Sequence, residues 1–183
     1  LDAIANAMMA LTRPTVDIYR HHLSGTGGED LVRDSVYVHV YRKAEDADLS
    51  QLGWRLRRER QVPIELVKGE ALREVEPALS PKFEAAVLIK QQGRAMDPGK
   101  IGKVLAEKAQ SMGVLFRRCS VERLMPKALG SWDIQTDDGI IEAGKVVLAM
   151  GAWSGKLMSD LGVKVALEAE RGYHLVFKNP GIT

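Results

Sequence analysis

The stretch KVVLAMGAWSGK places residue types with catalytic potential at the end of a hydrophobic run. Gly151 ends that run, and Ser154 and Lys156 follow it. A phosphate-binding loop of the Walker type needs four residues between its glycines and a serine or threonine after its lysine. Here three residues separate Gly151 from Gly155, and Leu157 follows the lysine. The nest of N–H groups would be too short and the magnesium-binding hydroxyl is missing, which excludes a phosphate loop.

A second possible chemistry in this stretch is a serine nucleophile on a sharp strand-to-helix turn, which needs the pattern G-x-S-x-G. Ser154 stands one place too late to occupy the apex of such a turn. A third interpretation is a flat cofactor lying on residues 149–151 with Trp153 nearby, because a glycine lets a ligand approach the backbone closely. A plain strand-to-helix turn with Trp153 in the core explains the same residues. The residues alone leave these last two interpretations open.

Other residues with chemical potential are more scattered. Arg94 precedes a predicted helix, and a helix N-terminus attracts anions, but an ordinary cap by Asp97 explains that junction without a ligand. Arg171 and Tyr173 together could hold a carboxylate. No two of the 4 histidines have metal-ligand spacing, and neither H-E-x-x-H nor C-x-x-C occurs, so no metal site is expected.

The composition excludes several classes of protein. The net charge of +2, from 26 basic and 24 acidic residues in 183, gives no case for nucleic acid or a membrane surface. No apolar run approaches the roughly 18 residues of a membrane span. Cys119 is the single cysteine, which excludes an internal disulfide and suits a reducing compartment. The chain starts at Leu1 inside an apparent helix, so we expect an internal piece of a longer protein.

Hydrophobic periodicity and turn residues predict mixed helices and strands in the first half of the chain. The predicted elements are a helix over 2–23 broken at Pro14, a helix capped by Asp46 or Asp48 that runs to about Arg60, strands over 35–42, 64–67 and 83–90, and a helix over 68–77. A predicted strand at 168–177, EAERGYHLVF, ends the chain. We expect these elements to form one mixed α+β lobe.

Between them, the clearest predicted helix begins at Asp97 and Pro98 and ends at Gly113. A strand at 114–118 and a meander of three short strands at 120–126, 131–137 and 139–143 follow. The run KVVLAM is apolar without alternation, which is typical of a strand covered on both faces in a parallel sheet. A short helix is predicted at 153–161.

This order of elements resembles the D-amino-acid oxidase-like flavoprotein superfamily, and within it D-amino acid dehydrogenases and glycine oxidase. The motifs that carry the resemblance are the helix starting at Asp-Pro, the segment VVLA-x-G-A-W-S, the RGY that follows it, and ALREVEPALSP and VYVHVY upstream. The resemblance covers nearly the whole chain and is most specific in 71–98 and 145–154.

The resemblance implies a mixture of α/β and α+β structure: a fragment of a Rossmann-like FAD-binding domain plus part of a mixed-sheet substrate domain. The implied divisions are 1–92 (N-terminal helix and part of the substrate domain), 93–162 (part of the FAD-binding domain) and 163–183 (return into the substrate domain). The family's G-x-G-x-x-G and its acidic ribose-binding residue do not occur in this chain.

The resemblance also implies site residues. Val121 would contact the adenine side of FAD through its backbone. The residues implied to line the cofactor are Ala149, Met150 and Gly151, with Trp153 close by. Met150 replaces the small residue usual at its position. The resemblance places the family's carboxylate-binding arginine in a C-terminal segment that does not occur in this chain. Arg171 and Tyr173 are candidate substrate-binding residues from their chemistry alone, and a structural role at the start of a strand explains them equally. The catalytic residues are not identified.

The implied function is an FAD-dependent oxidoreductase that passes a hydride from the amine-bearing carbon of a D-amino acid to flavin, giving an imine and then a 2-oxo acid and ammonia. Glycine, sarcosine and other secondary amines are further candidate substrates, and oxygen or a quinone the electron acceptor. The expected location is cytoplasmic, or peripheral to the inner membrane for a dehydrogenase type. We expect this piece by itself neither to hold FAD tightly nor to turn over. The alternative is a cofactor-free binding domain.

Overall fold

The computed structural model describes residues 1–179 and 181. They form two units, Leu1–Val114 and Leu115–Thr183. The first unit contains α1 (Asp2–Thr12), α2 (Thr15–Leu23), β1 (Val32–Tyr41), α3 (Leu52–Glu59), β2 (Ile64–Lys68), α4 (Glu70–Val75), β3 (Ala85–Ala95) and α5 (Pro98–Ser111). The second contains β4 (Val121–Pro126), β5 (Trp132–Thr136), β6 (Gly139–Ala143) and α6 (Ser154–Asp160). None of the helices among the described residues has the length and apolar character to cross a bilayer.

The first unit is built on a three-stranded antiparallel sheet in the order β1-β3-β2. The central strand is β3, so Ala85 pairs with both Tyr41 and Lys68. Four successive residues of β3, 85–88, are buried because the sheet is covered on both faces at that end. The strands predicted at 35–42, 64–67 and 83–90 are confirmed, with β3 extending farther than its sequence pattern indicated.

Two hydrophobic clusters hold this unit together. One joins α4 to the sheet and consists of Val67, Leu72, Ala86 and Leu88. The other joins α2 and α5 to the start of β1 and consists of Leu23, Leu31, Val32 and Ile101. Burying one large aliphatic side chain contributes about 1.5–3 kcal/mol, so these clusters supply much of the stability of the unit.

Helix α2 lies directly on β3, at a glycine. A Cβ atom at Gly93 would lie 2.7 Å from Cγ2 of Val16, so nothing larger than hydrogen fits there without movement. The end of α2 is tied to α5, because Nζ of Lys108 donates to the carbonyl oxygens of His22 (2.7 Å) and Ser24 (3.1 Å). These contacts fix α2 against the sheet at one end and against α5 at the other.

The loop between α4 and β3 is held by one arginine. The guanidinium of Arg73 donates to the carbonyl oxygens of Leu79 (2.7 Å), Ser80 (3.1 Å) and Phe83. A planar group with several fixed donors suits such a set of backbone acceptors. Arg73 therefore supplies the hydrogen-bond donors for three carbonyl oxygens of this loop.

The long helix predicted over 2–23 is two helices, α1 and α2, which meet at Pro14 as expected from its missing N–H. The predicted cap of α5 is confirmed, since Oδ1 of Asp97 accepts the N–H of Lys100 at 2.9 Å. Gly113, with φ +93°, follows the end of that helix. Because α5 shares a core with α2, the boundary between units falls after it; the divisions 1–92, 93–162 and 163–183 stay predictions about the complete protein.

The second unit contains the predicted meander, with β4, β5 and β6 paired in order and antiparallel. The tight turn between β5 and β6 is closed by Thr136, whose Oγ1 donates to the carbonyl oxygen of Gly139 at 2.7 Å. Gly139 has φ +108°, a conformation that side chains disfavour. Asp137 accepts the N–H of Ser120 at 2.8 Å and so joins the turn to the segment before β4.

Three predicted strands are absent from the described residues: 114–118, the buried strand at 145–150, and 168–177. Val147, expected to be covered, is 87% exposed, and Leu115 in the predicted strand 114–118 is 86% exposed. A strand needs backbone partners on a neighbouring strand, and the six described strands form two sheets that include none of these segments. The prediction of a covered strand at KVVLAM is therefore wrong for the chain as it stands.

Candidate cofactor-binding surface

The turn that follows KVVLAM is closed by its own hydrogen bonds. The N–H of Met150 donates to Oγ of Ser154 at 3.2 Å, and the N–H of Trp153 donates to the carbonyl oxygen of Met150 at 3.2 Å. Ser154 is buried, with 6% of its surface exposed. Its hydroxyl therefore holds the turn in shape. Sequence reasoning tested Ser154 only as a catalytic nucleophile and did not predict this structural role. The one available signal was the position of Ser154 at the start of α6.

Gly151 sits in this turn with φ +56°, and a Cβ atom built on it would have no atom within 4 Å. The backbone there is both strained for other residues and open on one side. Ala149 is exposed as well, and Trp153 is 76% exposed. The interpretation that placed Trp153 in the core is thus wrong for the described residues. The turn presents an uncovered apolar surface made of a bare backbone and an indole ring.

Val121 begins β4 in the same unit and pairs with Thr136 of β5. The pairing between β4 and β5 is irregular just after Val121, before the register continues at Arg123. Helix α6, which directly follows the turn at 149–153, packs against β4. The fold therefore packs the helix that follows the turn against the strand that begins with Val121. Their individual contacts with a cofactor stay predictions.

The surface around Gly151 carries few charged side chains. Residues 146–155 contain no ionisable side chain, and Lys145 and Lys156 flank them. The shifted pKa values among the described residues lie elsewhere. The pKa of Asp2 is lowered mainly by its hydrogen bond with the Arg60 guanidinium, and the pKa of Lys127 is raised mainly by its hydrogen bond with Glu142. Binding at this surface would rest on shape and apolar contact, with little charge.

The remaining candidates are not assembled into a site. Arg171 and Tyr173 lie in an exposed segment without regular secondary structure, and neither forms a side-chain hydrogen bond or ion pair with another described residue. Arg94 lies on β3 directly opposite Arg33 of β1. Within the described part of the chain, no group of three His, Cys, Asp or Glu side chains is placed to hold a metal ion. Substrate binding by Arg171 and Tyr173 stays a prediction.

Comparison with known proteins decides the family. The family model described as FAD dependent oxidoreductase (DAO) matches residues 2–182, almost the entire chain. The chain belongs to this family. The resemblance inferred from the motifs around Gly151 and Asp97 is thereby confirmed.

Relatives and a solved structure agree with this assignment. A D-amino-acid oxidase of Bradyrhizobium diazoefficiens is 28% identical over 180 residues, which is 98% of this chain and 42% of the relative. A D-amino acid dehydrogenase of the same organism is 29% identical over 167 residues, 88% of this chain and 34% of the relative. The structure of glycine oxidase from Bacillus cereus has a TM-score of 0.66 at 22% identity, covering 86% of this chain and 43% of that one.

These comparisons confirm the predicted fold class, part of a Rossmann-like FAD-binding domain with part of a mixed-sheet substrate domain. The chain spans about two fifths of the length of the D-amino-acid oxidase that it matches. The structural likeness, at 22% identity, concerns the fold.

The described residues fit the cofactor of this family. A flat, largely apolar ring system needs a surface without projecting side chains, and Gly151 offers open space where a Cβ would stand. Ala149 and Trp153, two positions before and two after Gly151 in the chain, add exposed apolar surface. No charged side chain between 146 and 155 would need to be desolvated.

Proposed function

We propose that the complete protein is an FAD-dependent oxidoreductase of amino acids, with D-amino acids as the leading substrate class. The observation that carries the proposal is the family match over residues 2–182. Relatives named D-amino-acid oxidase and D-amino acid dehydrogenase support the choice of substrate. Membership in this family favours the flavoenzyme over a cofactor-free binding domain.

FAD bound to the complete protein would accept the hydride that leaves the α-carbon of the amino acid. The amino nitrogen loses a proton to solvent in the same oxidation, so two electrons and two hydrogens leave the substrate as it becomes an imine. Water then adds to the imine carbon, and the products are a 2-oxo acid and ammonia. Oxygen or a quinone would finally take up the two electrons.

In this proposal, the residues of the chain bind and orient the cofactor, and the cofactor itself supplies the reactivity. Gly151 provides close approach to the backbone, Ala149 and Met150 continue that wall, and Trp153 covers apolar surface beside it. The backbone of Val121 would contact the adenine end. Arg171 and Tyr173 would hold the substrate carboxylate through charge-assisted hydrogen bonds.

Turnover of the full-length protein tests the reaction. A panel of D-amino acids, with the L-enantiomers, glycine and sarcosine as competitors, is offered with and without oxygen and with a soluble quinone analogue. We expect ammonia and the 2-oxo acid in equal amounts from at least one D-amino acid. Preference for a secondary amine would contradict the proposed substrate class but would still support the proposed oxidation by flavin. Absence of flavin from the purified full-length protein would refute the proposal.

A pair of glycine variants in the full-length protein tests the surface itself. Gly151→Val places a branched side chain in the open space and on a φ of +56° that it disfavours. Gly155→Val is the matched control, because the substitution is the same and Gly155 lies in α6 with no atom within 4 Å of a built Cβ. The ratio of flavin absorbance to protein absorbance should fall in the first variant and stay unchanged in the second. Equal flavin content in both would remove Gly151 from the site.

The chain of residues 1–183 alone is expected not to retain FAD. Leu115, Val147 and neighbouring apolar residues are exposed here, so the surface lacks the cover that would enclose a cofactor. Mixing the chain with FAD and separating the two by gel filtration tests this. Flavin absorbance that travels with the protein would overturn it.

A further inference from the structure

A groove lies in the first unit between α1 and the end of α3, beside the break at Pro14. Its volume is about 510 Å³, which is within the range of sites for small molecules. The residues that carry the argument line this groove: Asn6, Met9, Arg13, Pro14, Arg60 and Gln61. None of the residues that line the groove belongs to the turn around Gly151, so it is independent of the proposed function.

One of the two arginines, Arg60, is fully used by the protein and forms a wall of the groove. Its guanidinium donates to Oδ1 of Asn6 (2.9 Å), to the carbonyl oxygen of Leu56 (3.0 Å) and to Oδ1 and the carbonyl oxygen of Asp2. Its side chain is 13% exposed, and these contacts fix α1 against α3. The groove therefore has a preformed shape.

The other arginine, Arg13, is available. Nη2 donates to the carbonyl oxygen of Arg60 at 3.0 Å, which sets the position of the guanidinium, and no carboxylate of the described residues lies within ion-pair distance of it. Most of its N–H groups thus lack a protein acceptor among those residues. Glu59, the acidic residue at the rim, is already paired with Arg55 (3.6 Å) and Arg60 (3.8 Å).

The rest of the lining complements this charge. Because Asn6 uses its oxygen to accept from Arg60, its amide NH₂ remains as a donor. Gln61 contributes a second amide, and Met9 and Pro14 supply apolar floor. A cation, amide donors and apolar carbon within one concave site match a carboxylate attached to a small apolar group.

We propose that this groove binds a small organic carboxylate, with the carboxylate on Arg13 and the apolar group on Met9 and Pro14. Amino acids and 2-oxo acids are two sources of this chemistry. The α-substituent of the ligand, an ammonium or a carbonyl, distinguishes them.

Two-dimensional NMR of the 183-residue chain at constant ionic strength tests the proposal, with isobutyrate as the probe and neutral isobutyramide as its isosteric control. We expect the backbone amide signals of Ala10 and Gln61 to move saturably with isobutyrate. Isobutyramide should bind about tenfold more weakly, the equivalent of one charge-assisted hydrogen bond. Valine and 2-oxoisovalerate then identify the preferred source. Equal binding of isobutyrate and isobutyramide, or no saturable shift with any carboxylate, would overturn the proposal.

Two charge-removing variants, one inside the groove and one outside it, test whether Arg13 accounts for the binding. Arg13→Gln should weaken isobutyrate binding about tenfold, and Arg13→Lys should restore part of it. Arg33→Gln is the control, because Arg33 is an exposed arginine outside the groove that donates to the carbonyl oxygen of Asp30. Unchanged affinity in a folded Arg13→Gln variant would contradict the proposal. If that variant does not fold, the comparison of isobutyrate with isobutyramide on the unmodified chain decides.

Discussion

Replacing Gly93 by alanine should destabilise the first unit, although alanine is ordinarily the better residue in a strand. The new Cβ would lie 2.7 Å from Cγ2 of Val16, roughly 1 Å inside normal carbon–carbon contact. Overpacking of this kind costs about 1–3 kcal/mol. Replacing a glycine by alanine inside a strand ordinarily stabilises the folded state by about 0.5–1 kcal/mol. The middle of each range gives an expected net loss of about 1 kcal/mol of unfolding free energy.

Hydrogen exchange of the amides in the β1–β3 ladder measures this loss, because those amides report on the first unit alone. Gly102→Ala in α5 is the matched control: the substitution is the same, but no atom lies within 4 Å of the built Cβ. There it should stabilise by about 0.8–1 kcal/mol. Val16→Ala should relieve Gly93→Ala, with a coupling of about 1 kcal/mol in a double-mutant cycle. Unchanged or greater protection in Gly93→Ala, or additive effects with Val16→Ala, would refute the packing argument.

Three further predictions concern polar contacts. Arg73→Met should leave three loop carbonyls without their donor, cost about 1–3 kcal/mol and speed limited proteolysis between α4 and β3; faster cleavage elsewhere only would contradict this. Asp97→Ala should cost about 1 kcal/mol in urea unfolding through loss of the α5 cap, with Asp97→Asn close to the parent. Because Arg60 lowers the pKa of Asp2 below its ordinary value, that pair should stabilise the chain above the ordinary pKa and lose its effect as the pH falls through the lowered pKa. Asp2→Asn should abolish this pH-dependent contribution to the free energy of unfolding. An Asp2→Asn variant whose stability depends on acidic pH as the parent's does would contradict the prediction.

Much of the fold could be predicted because its signals are local. The stripe of α5 with Asp97 before it, the break at Pro14 and the turn at Gly139 each depend on residues within a few positions of one another. The meander was predictable for the same reason, since its strands are joined by short turns. The family was also predictable, because its motifs lie in contiguous segments around Gly151 and Asp97.

The candidate surface was only partly predictable. The glycine at 151 and its apolar neighbours indicated a place of close approach, but the burial expected for Val147 and the core position considered for Trp153 did not hold. A residue is buried only where another segment of the protein packs against it. A sequence pattern does not show whether such a segment is present. The structural role of Ser154 was invisible for a similar reason, since it depends on the turn bending back to Met150.

The sequence by itself determined the helices, the strands of the two sheets, the family and the glycine turn where a cofactor could approach, because each of these is encoded in neighbouring residues. Three features depend on the tertiary structure alone. They are the contact of Val16 with Gly93, the hydrogen bonds from Arg60 to α1, and the exposure of Val147 in KVVLAM. The physical reason is that propensities and caps act within a turn or two, whereas packing, pairing and exposure depend on partners far along the chain.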